Sequence, residues 1–208
     1  MKLQTMRKSE ATDGWHSRGY LPHFDGEQIT QFVTFRLSDS MPQDILAKWR
    51  VELTEEGNID IAARLRRRVE TYLDQGYGHC YLRHSAIADL VQNSLLFFDD
   101  ERYTLSAWVV MPNHVHALLT PSVGEKLSRI LHSLKSYTAT EANKILSTGG
   151  KFWQTESFDR YIRDAKHFAS VVRYIENNPV KARLCARPQD WPYSSAHFRE
   201  PLPATQTS

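Results

Sequence analysis

The chain has 208 residues, 41% hydrophobic and 11% aromatic, and a net charge of only +2. Such a chain can bury a real core, which excludes a disordered polyelectrolyte, and its overall charge singles out no partner. Cys80 and Cys185 are the only cysteines; two distant thiols make neither a disulfide framework nor a zinc-ligand spacing, and they point to a reducing, cytoplasmic setting. The start, Met1 to Arg7, has no apolar core of a signal peptide, and no apolar run reaches membrane-spanning length.

Residues 1–14 are polar and are expected to be disordered. Trp15 to Phe24, with Gly19 and Pro22, reads as an irregular lead-in. Ile29 to Leu37 is rich in β-branched and aromatic residues and predicts a strand with one well-buried face. Ser40-Met-Pro-Gln43 has the pattern of a capping box. A helical region is expected from about Gln43 to Leu73, broken in two at Gly57-Asn58. It contains the basic cluster Arg64, Arg66, Arg67 and Arg68, either a solvated helix face or part of a nucleic-acid groove.

A further helix is expected from about His84 to Phe98, with Ile87, Leu90, Val91 and Leu95 near helical spacing. Arg102 to Val110 and His114 to Thr120 predict two strands joined at Met111-Pro112-Asn113, with Asn113 able to enter the left-handed region. Ser122-Val-Gly-Glu125 resembles another capping box, opening a helix with Leu127, Ile130, Leu131 and Leu134 on one stripe. That helix extends through Ile145 and Leu146 to the Gly149-Gly150 stop. Phe158 to Arg163 suits a short strand. Asp164 is a candidate N-cap for a last helix that Pro179 should end near Asn178. Trp191-Pro-Tyr193 is expected to pack as an irregular lid, and residues 199–208 as a disordered tail.

The order β, long α region, β-hairpin, α, β, α is that of a ferredoxin-like α+β fold with one helix appended. Its antiparallel sheet would hold the histidine strand centrally, with helices on one face and the other face open to a ligand.

His114-Val-His116 sits at the start of a strand. Alternation along the strand sends both imidazoles to one face and Val115 to the other, which makes half of a divalent-metal site. The motif alone is weak, because nine histidines in 208 residues produce one His-x-His by chance about 0.4 times. The last helix has its apolar stripe at Phe168, Val171, Val172 and Ile175. At about 100° per residue, Tyr174 and Asn178 share a side roughly 70–110° from the centre of that stripe. Tyr174 could therefore be a boundary tyrosine or could reach over the edge toward the sheet.

Several ordered motifs together resemble the REP-associated tyrosine transposases, similar to the single-tyrosine transposases of small insertion sequences within the HUH nuclease superfamily. They are Arg18-Gly-Tyr-Leu-Pro-His-Phe-Asp25, Trp108-Val-Val-Met-Pro-Asn-His-Val-His116, Phe152-Trp-Gln154, Phe158-Asp-Arg160, Ile162-Arg-Asp164, Tyr174-Ile-Glu-Asn-Asn-Pro-Val180 and Trp191-Pro-Tyr-Ser-Ser195. The resemblance spans roughly 15–198, taken as one HUH transposase-like domain in which the 43–73 helical region is an expansion.

The resemblance implies that His114, His116 and Asn178 hold a divalent ion and that Tyr174 is the nucleophile. The ion would be Mg²⁺ or Mn²⁺; imidazole ligands favour the softer ion, so Mn²⁺ suits both arguments. It further implies an enzyme that nicks and joins single-stranded DNA carrying palindromic hairpins, through a 5′-phosphotyrosine link. Such an enzyme would be a bacterial, nucleoid-associated protein, expected as a monomer with a dimer as the alternative. Arg160, Arg163, Lys135 and Arg173 are candidate phosphate contacts, and Trp153 or Phe158 could stack on an unpaired base. Two rivals remain: a hairpin-binding protein that does not cut, and a metal-dependent hydrolase.

Overall fold

The computed structural model describes residues 15–17, 22–24, 28–56 and 60–199, so the expected disordered ends lie, except for Arg199, outside the described residues. The lead-in forms two short strands, β1 (Trp15–Ser17) and β2 (Pro22–Phe24), paired antiparallel, where an irregular segment was expected. Isolated strands of three residues leave no periodicity to read.

The main sheet contains β3 (Gln31–Arg36), β4 (Tyr103–Val110), β5 (His114–Pro121) and β6 (Phe158–Tyr161), in the antiparallel order β4-β5-β3-β6. With a helical crossover between β3 and β4 and another between β5 and β6, this is the ferredoxin-like order, and the histidine strand β5 lies inside the sheet as expected. The hairpin register places Val109 opposite His116, while β3 places Thr34 opposite His116 and Arg36 opposite His114. A bulge between Leu105 and Ala107 inserts one residue into β4. It shifts the pleat, so Leu105 and Trp108 both reach the same core.

Two helices cover one face: α3 (Ser85–Phe97) and α4 (Leu127–Ile145). Ile87, Val91 and Leu95 from α3 and Ile130, Leu131 and Leu134 from α4 pack on Val33, Phe35, Val115, Ala117 and Leu119. The second face, expected to be open, carries α5 (Ala165–Lys181). Val171 and Ile175 pack there on Phe32, Val109 and Leu118. A stripe of that width cannot stay in water, so α5 adds a second apolar layer.

Asp164 caps α5 as expected, its carboxylate accepting the His167 N–H at 2.7 Å. Pro179 does not end the helix; α5 continues to Lys181 with Pro179 buried inside it. The ring removes one backbone donor, but this close to the end the loss is a single bond, and the Asn178 carbonyl still accepts the Ala182 N–H at 2.9 Å. Neither expected capping box forms. Ser40 is buried with its hydroxyl donated to the Leu37 carbonyl, while Glu125 pairs with Arg102. The helices begin later, after Pro42 and Lys126, without side-chain caps.

The 43–73 region is two helices, α1 (Gln43–Glu55) and α2 (Ile61–Leu73); the expected break at Gly57-Asn58 falls between them, outside the described residues. Met41, Leu46, Leu53, Leu65, Val69 and Leu73 form a small core of their own, which meets the sheet at Phe158. Arg64 and Arg68 pair with Glu56 and Glu52 at 2.7 and 2.8 Å, so half of the basic cluster is used to stitch α2 to α1.

At the far edge, Val110 N–H donates to the Tyr193 carbonyl and the Trp191 indole donates to the Val110 carbonyl. The expected lid segment thus covers the exposed edge of β4. Among the described residues no helix is long and apolar enough to cross a membrane.

Candidate active site

β5 delivers two imidazoles to the α5 face. His114 and His116 are buried, and their Nε2 atoms stand 3.1 Å apart. Each ring is held from behind. The Nδ1 of His114 lies 2.7 Å from Asn113 Oδ1, and that of His116 lies 2.7 Å from Thr34 Oγ1. An amide oxygen can only accept, so His114 carries its proton on Nδ1 and turns the Nε2 lone pair toward His116. Asn113 keeps negative φ and instead serves as this brace, its own amide donating to the Tyr77 carbonyl at 3.0 Å.

Burial, with Lys181 adding to it, pushes the His114 imidazole down to about 3. His116 falls well below its usual range for the same reason, with His114 and Lys181 adding to it. Both rings are therefore neutral, the form that binds a metal.

α5 brings Tyr174 against this pair. Its ring packs edge-on to Phe32, with centroids 5.8 Å apart, and lies 5.4 Å from His116. Asn178 follows one turn later and is buried. Tyr174 Oη, Asn178 Oδ1 and Asn178 Nδ2 are all sealed from solvent and have no hydrogen-bond partner. Buried polar atoms are nearly always paired, so three orphans beside two facing imidazole nitrogens mark a site built for something else.

A divalent ion fits that description. Two nitrogens bound cis to one ion at ~2.1 Å are about 3.0–3.4 Å apart, close to what the histidines show. Among the described residues no three His, Cys, Asp or Glu side chains group as ligands, and the buried Asn178 amide oxygen stands without a hydrogen-bond partner.

Three neighbours of the tyrosine carry no signal in the sequence pattern. Glu70 and Asp74, from the end of α2, face the phenol, though neither makes a hydrogen bond of good geometry to it. Burial pushes the Tyr174 phenol well above its usual range, and the two carboxylates push it further. Burial likewise raises the Glu70 carboxyl, against the pull of Arg66, Arg160 and Lys181. Lys181 Nζ sits 5.8 Å from the Tyr174 ring centre and pairs with Asp74 at 2.6 Å.

The four basic candidates separate. Arg160, on β6, lies over the Phe32 ring at 5.7 Å, with its Nε buried and unpartnered. Burial lowers its pKa, and so do the nearby cations Arg66 and Arg163, so the three form a positive patch beside Tyr174. Arg163 is exposed. Arg173 is exposed on the outer side of α5 and does not join the cluster. Lys135 is on α4, and its ammonium donates to the Gln154 and Thr155 carbonyls and to Ser157 Oγ. Its expected role as a phosphate contact gives way to that of a loop clamp. Trp153 and Phe158 are buried in the cores, with the Trp153 indole donating to Thr138 Oγ1.

Residues 84–178, just under half of the chain, match the family model described as "Transposase IS200 like". A REP-associated tyrosine transposase of Escherichia coli strain K12 is 32% identical over 100 residues, 47% of this chain and 57% of the relative. The chain thus spans little more than half of that relative's length. A solved REP-associated tyrosine transposase, bound to a REP hairpin, superposes with a TM-score of 0.54 at 18% identity, over 86% of this chain and 84% of the other. At that identity the superposition shows a shared fold. The family match covers α3, β4, β5, α4, β6 and most of α5, with His114, His116, Tyr174 and Asn178 all inside it, so the likeness to IS200-like transposases lies in residues 84–178.

Proposed function

We propose that the protein is a metal-dependent DNA strand transferase in which Tyr174 attacks a phosphodiester of single-stranded DNA next to a palindromic hairpin. The observation that carries this reading is the cluster itself: two braced, neutral imidazoles facing each other, with an unpartnered phenol and an unpartnered amide against them. The hairpin enters through the structural neighbour, which is bound to one, and through the kinship with a REP-associated transposase.

His114 and His116 would hold the ion through Nε2, with Asn178 Oδ1 as the third donor. Mn²⁺ or Mg²⁺ bound there would supply Lewis-acid polarisation of the scissile phosphate. Everything else falls to the chain. α5 is fixed on the sheet by Val171 and Ile175, so nucleophile and amide ligand arrive on one rigid element. Tyr174 gives up its phenolic proton, bonds to phosphorus and displaces the 3′ oxygen, which gains a proton. A 5′-phosphotyrosyl link and a free 3′-OH result, and a second 3′-OH can reverse the step. Arg160, Arg163 and Arg66 would bind flanking phosphates. A monomer would suffice for this chemistry, with a dimer as the alternative.

The test is incubation with a 3′-end-labelled hairpin oligonucleotide and Mn²⁺, followed by a denaturing gel. A labelled band at the protein's mass that disappears on chelation is expected. A cut oligonucleotide with no such band would replace the covalent mechanism by metal-dependent hydrolysis.

A further inference from the structure

The nucleophile is shut in. Tyr174 Oη has no solvent exposure, so no phosphate can reach it in the conformation described. What faces it from outside the sheet and α5 is the end of α2, through Glu70 and Asp74.

α2 has the build of a separate part. Leu46, Leu53, Leu65, Val69 and Leu73 give the α1–α2 hairpin its own core, which meets the sheet at Phe158. Ion pairs from Arg64 and Arg68 to α1 hold its two helices to each other. Its two stems meet at a narrow neck. The Asp39 carboxylate accepts the His79 N–H at 2.7 Å, and Gly78, at φ +87°, passes so close that an added Cβ would lie 2.9 Å from the Asp39 carbonyl oxygen. Gly76, at φ +72°, adds a second left-handed glycine on the same stem.

The acids are also placed against local preference. Glu70 and Asp74 end α2, where the helix dipole is negative, and no basic residue occupies that last turn. Cations offset the cost, Arg66 of α2 itself and two from outside the hairpin. Lys181 pairs directly with Asp74, and Arg160 and Lys181 both act on Glu70.

We propose that the α1–α2 hairpin is a lid over Tyr174, latched by the Asp74–Lys181 ion pair, and that it must lift before DNA can reach the phenol. In the closed state the carboxylates of Glu70 and Asp74 occupy the cationic surroundings of Tyr174 that a phosphate would need. On opening, Asp74 leaves Lys181, and an incoming phosphodiester takes its place. The inference rests on the reading of Tyr174 as nucleophile only for its purpose; the lid itself can be tested without DNA.

The experiment is nitration by tetranitromethane, followed residue by residue by mass spectrometry on the full chain. Tyr137, which is exposed, and Tyr103, which is fully buried, are internal references. In the unaltered protein Tyr174, half-buried with its hydroxyl sealed, should react more slowly than Tyr137. Asp74→Asn and Lys181→Gln each break the latch from one side and should each speed Tyr174 roughly two- to fivefold, the factor a part-exposed ion pair is worth. Tyr103 should stay slow in both. The pair of variants separates opening from charge: removing an anion alone would speed a phenol's nitration, and removing a cation alone would slow it. Acceleration in Asp74→Asn with none in Lys181→Gln, or in neither, overturns the lid. A parallel assay with the hairpin oligonucleotide and Mn²⁺ keeps the two readings apart. If both variants expose Tyr174 but no protein forms a covalent adduct, the lid stands and the transferase reading falls.

Discussion

Tyr174→Phe removes one oxygen, and the surroundings of that oxygen set the sign of two effects. The ring's contacts with Phe32 and His116 survive, because phenylalanine keeps the same plane and size. The lost hydroxyl is sealed from water and makes no hydrogen bond of good geometry, although Glu70 and Asn178 face it. An unpaired buried polar group costs about 1–3 kcal/mol, so its removal should stabilise the fold, by about 1 kcal/mol once small shifts are allowed for. For a domain of this size that is about 2–4 °C in Tm. The same change removes the attacking atom, so adduct formation should vanish rather than decline. Melting curves and the labelled-adduct gel on one preparation test both halves. Higher Tm with no adduct is the expected pair, the pattern of a site that holds a destabilised group for function. A Tm several degrees lower would show that the hydroxyl is structurally paired, contrary to the geometry. An adduct that persists would move the nucleophile elsewhere, to Tyr161 on β6 or Tyr137 on α4.

Adding Mn²⁺ at about 100 times its Kd should stabilise the protein by about 2.7 kcal/mol, and His116→Ala should abolish the gain; equal stabilisation of the variant would exclude the histidine pair as ligands. Asn113→Ala leaves all three proposed ligands in place but removes the acceptor on His114 Nδ1, so titration calorimetry should show metal affinity about 10–100-fold weaker. Unchanged affinity would mean that the ring is oriented by packing alone. Arg160→Ala and Arg163→Ala should each lower the slope of log affinity for the hairpin oligonucleotide against log salt by roughly 0.7–0.9. Arg173→Ala should not change it, because that exposed residue is not among the cations acting on Arg160; a fall for Arg173 and none for Arg160 would move the DNA contact away from the Arg160 patch.

Relations inside one element are legible in the sequence by itself. Strand alternation puts His114 and His116 on one face and Val115 on the other, and they lie so. Helical spacing puts Tyr174 and Asn178 on one side of α5, at the border of its apolar stripe, and both are found turned inward there. The order of strands and helices is enough to name a ferredoxin-like sheet with β5 inside it. These follow from local stereochemistry, because 3.6 residues per turn and two per pleat hold whatever the element packs against.

What only the tertiary structure decided is how elements meet. That α5 lies across the histidine face depends on Val171 and Ile175 finding Phe32, Val109 and Leu118, residues far apart in sequence. Thr34 becomes a brace only once β3 is paired to β5 in this register, and Asn113, next to His114 in sequence, is anchored by the Tyr77 carbonyl. The same local rules misplaced two caps and the end of α5, where Ser40, Glu125 and Pro179 answer to long-range partners or to burial instead of to their neighbours in sequence. Nothing in the spacing of Glu70 and Asp74 marks them as the groups that face Tyr174. Their position is set by the docking of α2 on Phe158 and by Lys181 at the end of a helix about a hundred residues away, and a local pattern carries no information about contacts at that separation.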